Sequence, residues 1–290
     1  MTTWTPPAAH ERQPAPRSPE KPGPGLDRSD IPAPLPGRPL WAIFATLLLI
    51  AALGWGTFNV IDLLAHGESH ESALFAADGI ETINVDNDAG WVEIAGTDGD
   101  EIRLEADIST GLRRTGYSWE VDGSTLQVRG TCPIIGTAWC WVKYTIEVPR
   151  GVEVVVNTDN DRVEVTGIEA DVTVDADNGR VTLTDIAGSI SVNGNNGSVE
   201  ATGLSGPSAN VEGDNGRIEL AFTEPPENVV AKTDNGSVDI AVPPVDEGYD
   251  IVTSTGNGST TTTGLVNDPR SPRVIRAETD NGSITIHSSG

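Results

Sequence analysis

Few side chains in this 290-residue chain are placed to do chemistry. Paired carboxylates stand two apart at Asp86/Asp88 and Asp159/Asp161, and calcium takes several oxygen ligands at once. Neither an EF-hand loop nor the glycine-rich calcium nonapeptide surrounds them. A calcium site therefore competes with the plainer reading that Asp is a good turn former, and no other cofactor is expected. Cys132 and Cys140 lie eight apart with Gly136 between them. Outside the cytoplasm such a pair forms a disulfide, and a reduced buried pair is the alternative. Trp139 and Trp141 flank Cys140, and with Tyr117, Trp119 and Tyr144 they gather aromatics into one segment. That segment reads either as a stacking surface for a ligand or as a plug for the core. Strand alternation would set Trp139 and Trp141 on the same face.

Catalysis is harder to assemble. The four histidines, His10, His66, His70 and His287, sit in no recognisable catalytic context, and no nucleophile elbow, phosphate loop or metal signature is present. The expectation is a protein that is not an enzyme. Eighteen basic against 43 acidic residues give a net charge of −25, which argues against nucleic acid as a partner because phosphates would be repelled.

Turns dominate the pattern. A central Asn recurs at Asn87, Asn160, Asn178, Asn196, Asn215, Asn235, Asn257 and Asn281, four times as Asp-Asn-Gly, and from Asn160 onward the intervals are 18, 18, 19, 20, 22 and 24 residues. Apolar residues keep step: Val156, Val174, Val192 and Val211 stand four before the Asn, and Val163, Val181, Val199, Ile218, Val238 and Ile284 three after. Within each arm apolar residues alternate, which predicts strands with one buried face. Asn-Gly supplies positive φ at low cost. A period near 20 predicts an all-β, single-stranded β-helix or solenoid of about seven to eight coils, with the Asn residues as a turn ladder. An antiparallel meander shares the same local signals. Between Asn87 and Asn160 the repeat is interrupted by an aromatic and cysteine insert near residues 110–148, with strand-like runs at 101–108, 117–121, 125–129 and 142–148.

These elements need a setting. Residues 40–61 form an uncharged run of 22 residues, long enough to cross a bilayer as a helix. A signal-anchor helix is expected over 40–64, in preference to a cleaved signal peptide or a buried core helix. Arg12, Arg17, Lys21, Arg28 and Arg38 precede it and no Lys or Arg follows until Arg103. That asymmetry places the N-terminus in the cytoplasm and the C-terminal part outside, in a single-pass cell-membrane protein. Residues 1–39 are Pro-rich and read as a disordered cytoplasmic tail. Residues 65–79 read as a juxtamembrane linker and 80–290 as the extracytoplasmic domain.

The succession of short strands punctuated by Asp-Asn-Gly-[Arg/Ser]-[Val/Ile] from about Ile80 onward resembles the bacterial putative-adhesin family of unknown function. The likeness covers residues 80–290 and is a repeat style rather than a catalytic motif. It implies a right-handed β-helix-like ectodomain behind one membrane segment, at the cell envelope, with no catalytic residues; the segment from Cys132 to Trp141 is not a family-wide feature. Two functions are expected. One is a membrane-anchored surface adhesin or interaction module meeting an envelope polymer or a surface protein. The other is an envelope-sensing scaffold in which the ectodomain signals through the tail.

Overall fold

Alternating apolar residues and frequent Asx turns draw the chain into strands almost throughout, and the computed structural model describes residues 38–133 and 139–289, apart from the side chains of 38–40 and 161. The expected tail, 1–39, falls outside the described residues but for its last two positions. Two compact units, Met1–Trp55 and Gly56–Gly290, divide the chain. A helix, α1 (Arg38–Leu64), begins in the first and ends in the second. Its stretch Trp41–Leu64 is long and apolar enough to cross a membrane.

Among the described residues, nineteen strands follow in one large mixed sheet. In chain order they are β1 (Gly67–Ala76), β2 (Thr82–Asn87), β3 (Gly90–Thr97), β4 (Glu101–Thr110), β5 (Gly116–Asp122), β6 (Thr125–Thr131), β7 (Trp141–Pro149), β8 (Glu153–Thr158) and β9 (Asp161–Thr166). Then come β10 (Val172–Thr184), β11 (Ile190–Leu204), β12 (Ser208–Asn215), β13 (Ile218–Phe222) and β14 (Asn228–Asn235). The last five are β15 (Val238–Val242), β16 (Asp250–Asn257), β17 (Thr260–Thr263), β18 (Val274–Asn281) and β19 (Ile284–Ser288).

Pairing follows the repeat. The arm before each Asn turn pairs in parallel with the same arm of a neighbouring repeat, in the order β6, β2, β8, β10, β11, β12, β14, β18, β16. The arm after the turn does the same through β7, β3, β9, β10, β11, β13, β15, β19, β17. An antiparallel meander would instead pair the two arms of one turn. Register keeps like with like: Val163, Val181, Val199, Ile218, Val238 and Ile284 stand opposite one another in turn, and all are buried. The second inward column, Val165, Leu183, Ala201, Leu220, Ile240 and Ile286, is buried as well.

Three details depart from the sequence reading. The expected insert does not interrupt the ladders: β6 lies parallel to β2 and β7 parallel to β3, because Leu126, Val128, Val142 and Tyr144 bring the same inward alternation. Antiparallel additions then border this end, β5 on β6 and β4 on β7, with β1 on β4. Most of the stretch expected as a linker is therefore strand. Finally, the spatial order of the last repeats is exchanged, since β18 and β19 sit between β14/β15 and β16/β17. The polarity of the arms accounts for it. Ile275, Ala277, Ile284 and Ile286 are buried, while all four threonines of β17 are exposed, and a repeat stack needs its polar member at the end.

Candidate functional site

Asparagine forms the most regular feature. Each Nδ2 donates to the Oδ1 of the Asn in the neighbouring repeat: Asn196 to Asn178 at 3.2 Å, Asn215 to Asn196 at 2.9 Å, Asn235 to Asn215 at 3.1 Å, Asn281 to Asn235 at 2.9 Å and Asn257 to Asn281 at 3.0 Å. Asn178 to Asn160 is longer at 3.5 Å. Asn87 is not in this ladder. Register sets it opposite Thr158, and it is buried with Nδ2 donating to the Val142 carbonyl at 3.2 Å. Its turn is offset in register, with Gly90 opposite Asp161. Glycine after the Asn answers mainly to crowding: a Cβ on Gly197, Gly236 or Gly258 would fall on the carbonyl of the glycine in the adjoining repeat. Gly216 adds a positive φ of 145°.

Among the described residues, the acidic turns form separate contacts. Asp86 stands opposite Asn157, and the Asp88 carboxylate accepts the Cys132 N–H at 2.8 Å. Asp159 contributes its carbonyl to Asn178, and the Asp161 side chain lies outside the described residues. Among the described residues, no group of three or more His, Cys, Asp or Glu is placed to hold a metal ion.

Cys132 and Cys140 are joined, with Sγ atoms 2.06 Å apart. Closing so short a loop contributes about 2–3 kcal/mol in the chain-entropy picture. Around the bridge, Thr115 Oγ1 donates to the Ser109 carbonyl at 2.6 Å and lies 3.2 Å from Cys140 Sγ. The Trp139 ring packs on His66 at 4.6 Å between centroids.

Of the five aromatics read as a stacking surface or a plug, Tyr144 is buried in the core and the other four lie in three places. Tyr117 and Trp119 stay together on β5, their rings 5.6 Å apart and tilted by 36°, with Tyr117 exposed and Trp119 packed against the core. Trp139 belongs to the disulfide turn and is half-buried. Trp141 opens β7 and is exposed. The Trp139 ring meets His66, and Trp141 stands beside Glu68 and His70.

Trp141 does line a cleft of about 390 Å³ with Glu68, His70, Asp107 and Lys143. The antiparallel run β1–β4–β7 builds it: His70 is opposite Asp107, which is opposite Lys143, and in the next row Glu68, Ser109 and Trp141 line up. His70 Nδ1 is 2.8 Å from Asp107 Oδ1. That hydrogen bond raises the His70 pKa above its ordinary 6.5; partial desolvation opposes the rise, and the Asp107, Glu105 and Glu71 charges add to it. Lys143 is held between Glu93, at 3.3 Å, and the face of Trp91, 5.0 Å from the ring centre, while Arg162 covers the same ring at 5.2 Å. A flat ring beside fixed donors and acceptors is suited to a polyhydroxylated ring or a peptide side chain.

Trp91 escaped the sequence reading because it lies outside the aromatic segment; its place two after the turn corner, in line with Arg162 and Arg180, was the available signal. A second turn, less uniform in sequence, also forms a column. Gly167, Asp185 and Gly203 take φ of 71°, 55° and 69°, and Gly167 N–H bonds the Thr184 carbonyl as Asp185 N–H bonds that of Thr202. The preceding Thr166, Thr184 and Thr202 carry its sequence mark.

No protein-family profile matches the chain, and no curated protein matches it. Among solved structures it is similar to a putative cell adhesion protein from Clostridium sporogenes, at 14% identity over 77% of this chain and 100% of that one, with a TM-score of 0.43. It is also similar to a putative adhesin from Bacteroides fragilis, at 16% identity over 76% and 97% of the two chains (TM-score 0.43), and to one from Parabacteroides distasonis, at 12% over 76% and 97% (TM-score 0.40). These proteins are of the kind that the Asp-Asn-Gly repeats resemble.

Proposed function

We propose that the chain is a membrane-anchored, non-catalytic surface module whose β domain winds as a solenoid and holds a binding face at the Trp141 cleft. The anchor is α1, with the N-terminus cytoplasmic and the β domain extracytoplasmic, as the flanking charges favour. Parallel pairing of like arms supports the solenoid, and the Asn ladder supports a stack that does not shift register. The observation that carries the function is the cleft: an exposed tryptophan beside a His–Asp pair and a lysine, on a wall braced by three antiparallel strands. Its ligand is an envelope polymer or a surface protein, met by stacking and hydrogen bonding.

The test uses the full chain in nanodiscs, incubated with envelope fractions in calcium and in chelator. Saturable co-sedimentation that falls at least severalfold in Trp141→Ala supports the reading. Equal capture by wild type and variant removes the cleft from it, and no capture in either buffer removes adhesion. Loss in chelator alone would return the acidic turns Asp86, Asp88, Asp159 and Asp161 to consideration.

A further inference from the structure

Asp62 is an anomaly. It sits in the last turn of an apolar helix, only two residues before the end of the stretch Trp41–Leu64, yet it is 2% exposed while its neighbours Ile61, Leu63 and Leu64 are open. Its carboxylate accepts the backbone N–H of Leu112 at 2.6 Å. Gly111 is packed so closely that a Cβ there would strike the carboxylate. The loop 111–115 between β4 and β5 is thus held against the end of the helix, and a bonded acceptor is what makes an acidic group tolerable near hydrocarbon.

The loop is fixed at its other points too. Thr110 Oγ1 donates to the Arg113 carbonyl at 3.0 Å, and buried Thr115 is tied to Ser109 and lies beside the disulfide. Its tip presents Leu112, Arg113 and Arg114, all exposed. Arg113-Arg114 is the only adjacent pair of basic residues in the chain, whose net charge is −25. A helix rises about 1.5 Å per residue, so a group bonded to Asp62 lies within a few ångströms of the depth of Leu64.

We propose that the loop 111–114 is a membrane contact: Leu112 enters the interface beside α1, and Arg113 and Arg114 meet the phosphates of anionic lipid headgroups. An apolar residue followed by cations is the pattern of an interfacial anchor. The proposal rests on α1 spanning the bilayer. With it, the β domain is held at a fixed height and orientation by two contacts instead of swivelling on one.

The test places a nitroxide on single cysteines in the full chain, in nanodiscs of phosphatidylcholine with or without phosphatidylglycerol; Cys132 and Cys140 stay oxidised and unlabelled. Collision with oxygen is compared with collision with an aqueous nickel chelate at Leu49→Cys, Leu112→Cys and Thr261→Cys. The expected oxygen-to-nickel ratio is high at 49, intermediate at 112 and low at 261. Adding Arg113→Gln and Arg114→Gln is expected to bring position 112 down severalfold in anionic discs and leave it unchanged in neutral ones. A low ratio at 49 sinks the spanning reading. A high ratio at 49 with position 112 as wet as 261 overturns the loop contact alone, as does indifference of position 112 to the arginines. Capture of Asp62→Leu discs by conformation-specific antibody, with position 112 turned aqueous, separates loss of the tether from loss of the fold.

Discussion

A single asparagine in this ladder serves its neighbours on both sides. Asn215 donates to Asn196 and accepts from Asn235, whereas Asn257 stands at the end and makes one ladder bond. Asn215→Ala is expected to lose about 1–2 kcal/mol and Asn257→Ala about half of that, read from denaturant midpoints; equal losses would mean the ladder is ornamental. Gly197→Ala is expected to cost more than either, about 2 kcal/mol or above, since its Cβ has only the Gly179 carbonyl to occupy. A midpoint within error of wild type would show that the repeats part easily there. His70 gives a pH signature. Its pKa is raised in the folded protein by Asp107, so the pair's stabilisation is complete below 6.5 and is lost as pH climbs through the higher folded value. A proton NMR titration is expected to place the His70 midpoint above 6.5 and Asp107→Asn to bring it back; no movement would break the assignment.

For the strands, most of the pattern was legible. Inward positions, the Asn column and the four runs between Asn87 and Asn160 follow from alternation and turn chemistry, which act over neighbouring residues. What alternation does not encode is which repeat stands beside which. Leu126 and Val142 look alike whether their strands extend the ladders or leave them, and the linker reading of 65–79 failed because Ala73 and Phe75 meet Leu104 and Ile102, more than twenty residues away. The cleft was invisible for the same reason: His70, Asp107 and Trp141 come together only through β1–β4–β7. The exchange of the last repeats is testable at this level. Amides of Thr260–Thr263 are expected to exchange with solvent faster than those of Ile284–Ser288, although both lie in equivalent arms, because β17 is the end of its ladder. Equal protection would refute the exchanged order of β17 and β19.

Across the whole molecule, charge is the main uncompensated term. Residues 1–61 carry five basic and four acidic side chains, a net +1, so residues 62–290 carry −26, more than the whole deficit of −25. Lys143, Arg162 and Arg180 share one row of the outer face beside Glu93, Glu164 and Glu200 in another, and their pairs are weakened by salt. Exposed pairs of this kind are worth little each, while general repulsion of a large net charge opposes compactness. The melting temperature is therefore expected to rise from low to physiological sodium chloride, where the Debye length shortens to about 8 Å. A fall would mean that the local pairs outweigh the net charge.

The exchanged order of the final repeats also bears on manufacture. A ribosome delivers residues 250–263 before residues 274–288, and chains commonly begin to fold as they emerge. Yet, among the described residues, β16 and β17 pair only with β18 and β19. The earlier segment has nothing to lie on until the later one arrives and slides in beneath it, against β14 and β15. A polypeptide halted anywhere between them leaves the apolar edge made by Val229, Val238 and Ile240 open to any passing strand. Completion of the stack is thus a keystone event, and quality control of a stalled product would have that bare edge to recognise.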